Sequence, residues 1–294
     1  MLCRPARHTI ELPSGGGARI DVDSFRAFEK AGWDAKAPGY DDFLGQITSR
    51  LVGRLLDSVA ARQGVRLLDV GTGPGYAAAR AAERGGSVVG IDIAEEMVAL
   101  ATRLHPTLDF RIANAEALPF PNDSFDAVVG NFAMLHLPRP ELAAAEFFRV
   151  LVPGGRLALT VWDTPERARL FGVFLDAVAE TGAATPRGIP VGPPFFRFSD
   201  EQEFARLLVD QHLESIEVET ITFSHEVSSP DELWLGMLAS TVRTSALVQR
   251  QPDGVQQQIR AAFDRVLERH RSGDRFVVPV AVKLATATKP ERSA

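Results

Sequence analysis

Short apolar runs and amphipathic stretches alternate regularly between residues 65 and 162. Residues 65–70 form an apolar run that predicts a buried strand. A glycine turn follows, then an alanine-rich helix over 76–84. Residues 87–91 predict a second strand ending at Asp92, and 94–104 a second helix. Strands at 108–112 and 125–130 come next, then a helix over 140–151. Pro153-Gly154-Gly155 turns the chain into a fifth strand over 156–162. Strands of this length alternating with helices predict an α/β fold with a doubly wound, mostly parallel, Rossmann-like sheet.

The pattern differs on either side. Upstream, a short helix is predicted over 23–30 and a longer one over 39–62, where Phe43, Leu44, Ile47, Leu51, Val52, Leu55, Leu56 and Val59 fall at helical spacing. Downstream, helices are predicted at 166–181 and 200–210, separated by a loop rich in Gly, Pro and Phe. A long alternating strand over 216–227 and a closing strand over 276–287 are separated by helices near 231–249 and 254–271. These two strands bring the sheet to seven, with an antiparallel edge strand. The expected division is an N-terminal arm and helices over 1–62, a core over 63–163, and helical inserts with the last two strands of the same sheet over 164–294.

At 294 residues and 45% hydrophobic content, the chain makes one large domain or one domain with a small appendage. A net charge of -6 without a basic stripe argues against sequence-independent nucleic-acid binding. The lone Cys3 suits a reducing compartment. No apolar run reaches the length of a membrane span, and the start, MLCRPARHTIEL, lacks the apolar core of a signal peptide. The expectation is a cytoplasmic protein with neither membrane nor nucleic acid as partner.

The stretch LLDVGTGPGY carries the first chemistry. Its glycines read Gly71-x-Gly73-x-Gly75, which is neither the dinucleotide spacing nor a P-loop. A glycine turn between strand and helix lets a ligand approach the backbone and meet helix N–H groups; a plain tight turn is the alternative. Asp69, just before the turn, would repel a pyrophosphate and favour an ammonium. Asp92, at the tip of the second strand, suits the two hydroxyls of a ribose. Asn114, Ala115 and Glu116 follow the third strand. Together they describe a nucleoside with a positively charged tail, which S-adenosylmethionine fits.

The ordered segments LLDVGTGPGYAA, GIDIAEEM, ANAEALPFPNDSFDAVV and HLPRPELAAAEFFRVLVPGG resemble the class I S-adenosylmethionine-dependent methyltransferases, nearest the branch acting on quinones and small natural products. The resemblance implies that Asp69 and the turn Gly71, Thr72, Gly73 and Gly75 hold the methionine end. It implies that Asp92 binds ribose, that Ile93 and Met97 lie near adenine, and that Asn114, Ala115 and Glu116 line the adenine edge. Asn131 would offer backbone to the amino group. The family commonly has Asp where Asn114 stands; an amide still supplies a donor and an acceptor. WDAKAPGYDDF resembles the family's segment that covers the cofactor, with Tyr40 near the transferred methyl; packing on the core is the alternative for Tyr40.

Methyl transfer asks the protein for approach geometry, exclusion of water and, where needed, a base. His136 is the best-placed base, with a loop-shaping role as the alternative, and Tyr40 is second. Trp162 and Asp163 are candidates for a pocket wall; His212 and His225 read as surface or core residues. No metal site is predicted, because no His, Cys or Asp cluster has ligand spacing. Phe195, Phe196, Trp234, Met237 and Arg243 are candidates for the acceptor side, where a lid of N-terminal helices and insert would exclude water. The expected function is methyl transfer to a small, aromatic or apolar metabolite, at O, N or C. A fold relative doing cyclisation, a non-catalytic binding module and, more weakly, a nicotinamide dehydrogenase stand as alternatives. An arm of this kind is able to pack on a second copy, giving a homodimer.

Overall fold

The computed structural model describes residues 20–292; Cys3, the glycine segment at 14–18 and the charged start lie outside the described residues. In chain order the elements are α1 (Val22–Tyr40), α2 (Leu44–Thr48), α3 (Val52–Ser58), β1 (Arg66–Val70), α4 (Tyr76–Glu83), β2 (Ser87–Asp92), α5 (Glu95–Leu104), β3 (Asp109–Ile112), β4 (Phe125–Asn131), α6 (Pro140–Val150) and β5 (Leu151–Trp162). They continue with α7 (Arg169–Thr181), α8 (Glu201–Val209), β6 (Glu214–Val227), α9 (Pro230–Ser240), α10 (Arg243–Gln249), α11 (Asp253–Leu267), β7 (Arg271–Ser272) and β8 (Arg275–Thr288).

The strands form one sheet in the order β3-β2-β1-β4-β5-β8-β6, with the two-residue β7 pairing beside β8. The first five strands are parallel, and β8 runs antiparallel to both β5 and β6. The sheet therefore has eight strands rather than seven, and the antiparallel strand lies one place inside the edge. Burial explains the placement. β8 is covered almost continuously from Val280 to Ala285, as an interior strand is, whereas β6 alternates exposed and half-buried residues, as an edge strand does. Leu67, Ala127, Val129 and Ala158 pack on one face with α3 and α4; Leu68, Val128, Leu157 and Leu159 pack on the other with α6 and α7.

Three helix boundaries differ from the sequence pattern. The first helix does not stop at Lys30 but runs 19 residues to Tyr40, through Pro38 in its last turns. The stretch 39–62 breaks into α2, a 3-10 turn at Ser49–Leu51, and α3. The stretch 231–249 breaks at Thr241, whose extended backbone ends α9. Parallel strands bring Val70, Asp92, Asn131 and Trp162 to the same end of the sheet, where they line one cavity with residues of α1. No helix among the described residues is long and apolar enough to cross a membrane.

Candidate active site

The glycine turn after β1 is set by backbone conformation. Gly71 and Gly73 both have positive φ, at 64° and 52°. A Cβ on Gly71 would sit 2.7 Å from the Cβ of Ala133, while nothing lies within 4 Å of the position a Cβ would take on Gly73. One face of the turn thus packs against the loop after β4, and Gly73 leaves backbone open to a ligand. The Gly73 N–H donates to Asp92 Oδ2 (3.0 Å), and Ala94 N–H donates to Asp92 Oδ1 (3.0 Å), so one carboxylate ties the turn to the tip of β2. Burial pushes the Asp92 carboxyl above its ordinary value, although these N–H groups oppose it.

Asp69 lies elsewhere than the ammonium argument requires. Its Oδ2 accepts from Thr72 Oγ1 (2.7 Å) and Ala78 N–H (3.1 Å), and burial pushes its carboxyl up to about 6. Asp69 and Thr72 hold the turn from beneath, and Gly75 caps α4 against Phe110 and His105. None of the three lines the cavity.

That cavity, of about 120 Å³, opens where the strand tips meet α1; a second, near Phe28 and Ile189, holds only about 10 Å³. Gly71, Gly73, Asp92, Ile93, Met97, Asn114, Ala115 and Asn131 all line the larger one. Asn114 Oδ1 accepts from the Glu116 N–H (3.0 Å), which leaves its amide N–H groups to donate. Glu116, expected at the adenine edge, is instead a buried strut. Its carboxylate accepts from the Arg139 N–H (2.8 Å), the Arg139 guanidinium (2.9 Å) and Arg26 Nη2 (2.8 Å), joining α1 to the loop before α6. Asn131 bridges Thr48 O (3.1 Å) and Thr160 Oγ1 (2.7 Å) through its side chain. The next residue, Phe132, has φ of 61°, a conformation bulky side chains rarely adopt. Its ring stacks on Trp162 with centroids 4.1 Å apart, and both line the cavity.

In the same cavity wall, His136 Nδ1 lies 2.9 Å from Glu29 Oε2. Arg243 Nε donates to Glu29 Oε1 (2.7 Å), and its two remaining nitrogens donate to Pro193 O and Leu135 O (3.0 Å each). Burial raises the Glu29 carboxyl, but His136 and Arg243 outweigh it and hold the group below its ordinary value. Trp33 meets the His136 ring edge-on at 4.8 Å, and Phe195 lies 6.0 Å away. Tyr40 also lines the cavity; its hydroxyl pairs with Thr48 Oγ1 (3.2 Å), and burial pushes it up to about 12.

Other expected residues separate. Phe195, Trp162 and Arg243 line the cavity, whereas Phe196, Asp163, Trp234 and Met237 do not. Trp234 stacks on Phe174 at 5.3 Å and Met237 is fully buried, so both serve the core. His212 is exposed, and His225 packs edge-on against Phe43. No group of three or more His, Cys, Asp or Glu among the described residues is placed to hold a metal ion. Sequence reasoning missed Glu29 and Arg26. The signal was Phe25, Glu29, Trp33, Ala37 and Tyr40, one helical stripe on which an acid interrupts apolar positions.

Residues 68–159 match the family model described as a methyltransferase domain. The chain is 37% identical over 167 residues to a demethylmenaquinone methyltransferase of Renibacterium salmoninarum, covering 55% of this chain and 69% of that protein. It is 41% identical over 148 residues to the nocamycin O-methyltransferase of Saccharothrix syringae, covering 45% of this chain and 53% of that one. Among solved structures it superposes on the cyclase SpnF with a TM-score of 0.56 at 23% identity, covering 95% of this chain and 100% of that one, a likeness of fold alone.

Proposed function

Because the chain belongs to the class I S-adenosylmethionine-dependent methyltransferases, we propose that it methylates a hydroxyl on a small, flat, largely apolar molecule, with His136 as the proton acceptor. S-adenosylmethionine is the cofactor, and the residues at the strand tips fit it. Gly73 offers open backbone, Asp92 an acid for ribose hydroxyls, and Asn114 amide donors for the adenine edge. Ile93, Met97 and Ala115 line the cavity as apolar surface for a base, and Arg26 Nε is a buried donor with no partner among the described residues. We read residues 63–163 as the cofactor-binding core and the flanking segments as the acceptor side. Asp69, Thr72, Gly75 and Glu116 then act on the cofactor only through the elements they hold.

When bound, the cofactor supplies an electrophilic methyl group on a sulfonium, and the chain's residues do the rest. Phe132, Trp162, Phe171 and Phe195 form an aromatic wall that suits a planar acceptor and excludes water. The observation that carries the reading is His136, whose imidazole lines the cavity 6.0 Å from the Phe195 ring. Imidazole is the side chain suited to take a proton near neutral pH. Tyr40, pushed up to about 12, is too weak an acid to be a phenolate there. The O-methyltransferase relative supports oxygen as the accepting atom.

The test is incubation of the protein with S-adenosylmethionine and a panel of phenols, hydroxyquinones, indoles and amines, followed by mass spectrometry. A hydroxylated acceptor gaining one methyl with release of S-adenosylhomocysteine is the expected result. Cofactor binding with only amines or ring carbons methylated would overturn the hydroxyl assignment.

A further inference from the structure

Three segments far apart in the chain meet at His136. Glu29 is 107 positions from it and 214 from Arg243. Glu29 comes from α1, His136 from the turn after β4, and Arg243 from the start of α10. Resting on the reading of His136 as proton acceptor, we propose that Glu29 is its positioning residue: it fixes neutral His136 in the Nδ1–H tautomer, so the base is complete only with α1 seated over the cavity.

An ionised carboxylate accepts hydrogen bonds and donates none. A neutral imidazole facing Glu29 at 2.9 Å therefore carries its proton on Nδ1 and leaves Nε2 as a lone pair. Glu29 cannot turn to another task, because its second oxygen is taken by Arg243. Arg243 also grips Leu135 O, the carbonyl next to the histidine, and so fixes the backbone that carries the ring. The charged groups facing His136 are Glu29 from α1, Arg243 from α10 and Asp92 from the tip of β2. When Nε2 takes the hydroxyl proton, the imidazolium stands against the Glu29 carboxylate. α1 reaches this position through polar contacts around the cavity: Arg26 with Glu116 (2.8 Å), Lys30 with Glu95 (3.1 Å) and Lys36 Nζ with Leu238 O (2.6 Å).

Nitrogen-15 NMR of histidine-labelled native protein with S-adenosylhomocysteine reads the tautomer directly. A protonated Nδ1 with an unprotonated Nε2 at His136 is the expected result; the opposite tautomer overturns the proposal. In Glu29→Gln, whose amide can donate as well as accept, the nitrogen-15 spectrum of His136 should show the Nδ1–H form no longer dominant. Turnover should fall about tenfold or more, with S-adenosylhomocysteine affinity held within about twofold. Lower turnover with the His136 tautomer unchanged would mean Glu29 only holds structure, and the proposal fails. If that variant does not fold, the double change Glu29→Gln with Arg243→Gln removes the buried charges together and takes the same tautomer reading. His136→Gln at full turnover would instead sink the base reading itself. An inactive His136→Gln beside a Glu29→Gln whose His136 tautomer is unchanged sinks the proposal alone.

Discussion

The two ends of the cavity are built by different means. At the end we propose for the cofactor, groups come from the tips of β1, β2 and β4 and the turn after β3, and Gly73 leaves backbone open. At the acceptor end, long side chains and rings come from α1, the loop holding Phe195 and the start of α10. The first end is fixed by the register of parallel strands, which fold as the interior of the sheet. The second depends on helices that pack on other helices, α1 on α5 and α9, and α10 on α9 and α11, and on the buried charges of Glu29 and Arg243. Binding should therefore survive damage at the acceptor end, and turnover should not.

His136→Ala tests that separation most severely. General-base catalysis contributes roughly 10²–10⁴-fold, so turnover should fall by that factor, about 3–5 kcal/mol in barrier, with S-adenosylhomocysteine affinity unchanged in calorimetry. Equal losses in both would mean the two ends are one cooperative unit.

Asp69 probes the cofactor end from below. Its folded carboxyl titrates near 6 because it is buried, against an ordinary value of 3.8. Between those values the folded protein keeps a proton that the unfolded chain has released. The cost of the buried charge therefore appears as pH rises through that window, reaching about 3 kcal/mol above it. Asp69→Asn keeps an acceptor for Thr72 and Ala78 and removes the titration. Measured by denaturant unfolding, stability of the native protein relative to this variant should fall by about that amount between pH 4 and 7. A constant difference would show that Asp69 titrates as an exposed acid does. Asp92→Ala strikes the same end from within: cofactor affinity should weaken by about 1–3 kcal/mol as ribose hydroxyls lose their acceptor and the Gly73 N–H its anchor. Unchanged affinity would remove Asp92 from the ribose.

How much the sequence disclosed follows the same division. The five alternating strands and the glycine turn were legible because hydrophobic period and turn chemistry are local. The cavity-lining Asp92, Asn114 and His136 follow from where strands end. Asp69 and Glu116 sit in the right motif yet face away from the cavity, because spacing gives position along a strand or turn and not which neighbours claim a carboxylate. Glu116 is claimed by Arg26 from 90 residues upstream. The place of β8 inside the edge was readable in its mostly apolar run, broken by Lys283, but only against the more polar alternation of β6. For Glu29 the helical stripe marks a buried acid but not its role, because its partners are 107 and 214 positions away.

Tyr40→Phe is the smallest change and the finest test of where proton transfer occurs. Tyr40 lies at the junction of the two ends, on the last turn of α1, edge-on to Trp33 at 5.8 Å. Removing its hydroxyl costs one hydrogen bond to Thr48, at 3.2 Å, worth roughly 0.5–1.5 kcal/mol of stability. Thr48 Oγ1 also donates to Leu44 O (3.1 Å), so it is not left unsatisfied and the loss should sit at the low end. The ring still closes the cavity, and a hydroxyl held near 12 has no proton to give up at neutral pH. Turnover should therefore change by no more than about threefold, with the acid limb of the pH profile where it was. A loss as large as that of His136→Ala would move the base from the turn after β4 to the lid helix. The comparison would then be drawn in the wrong place, because the lid would carry the chemistry and the core only the cofactor.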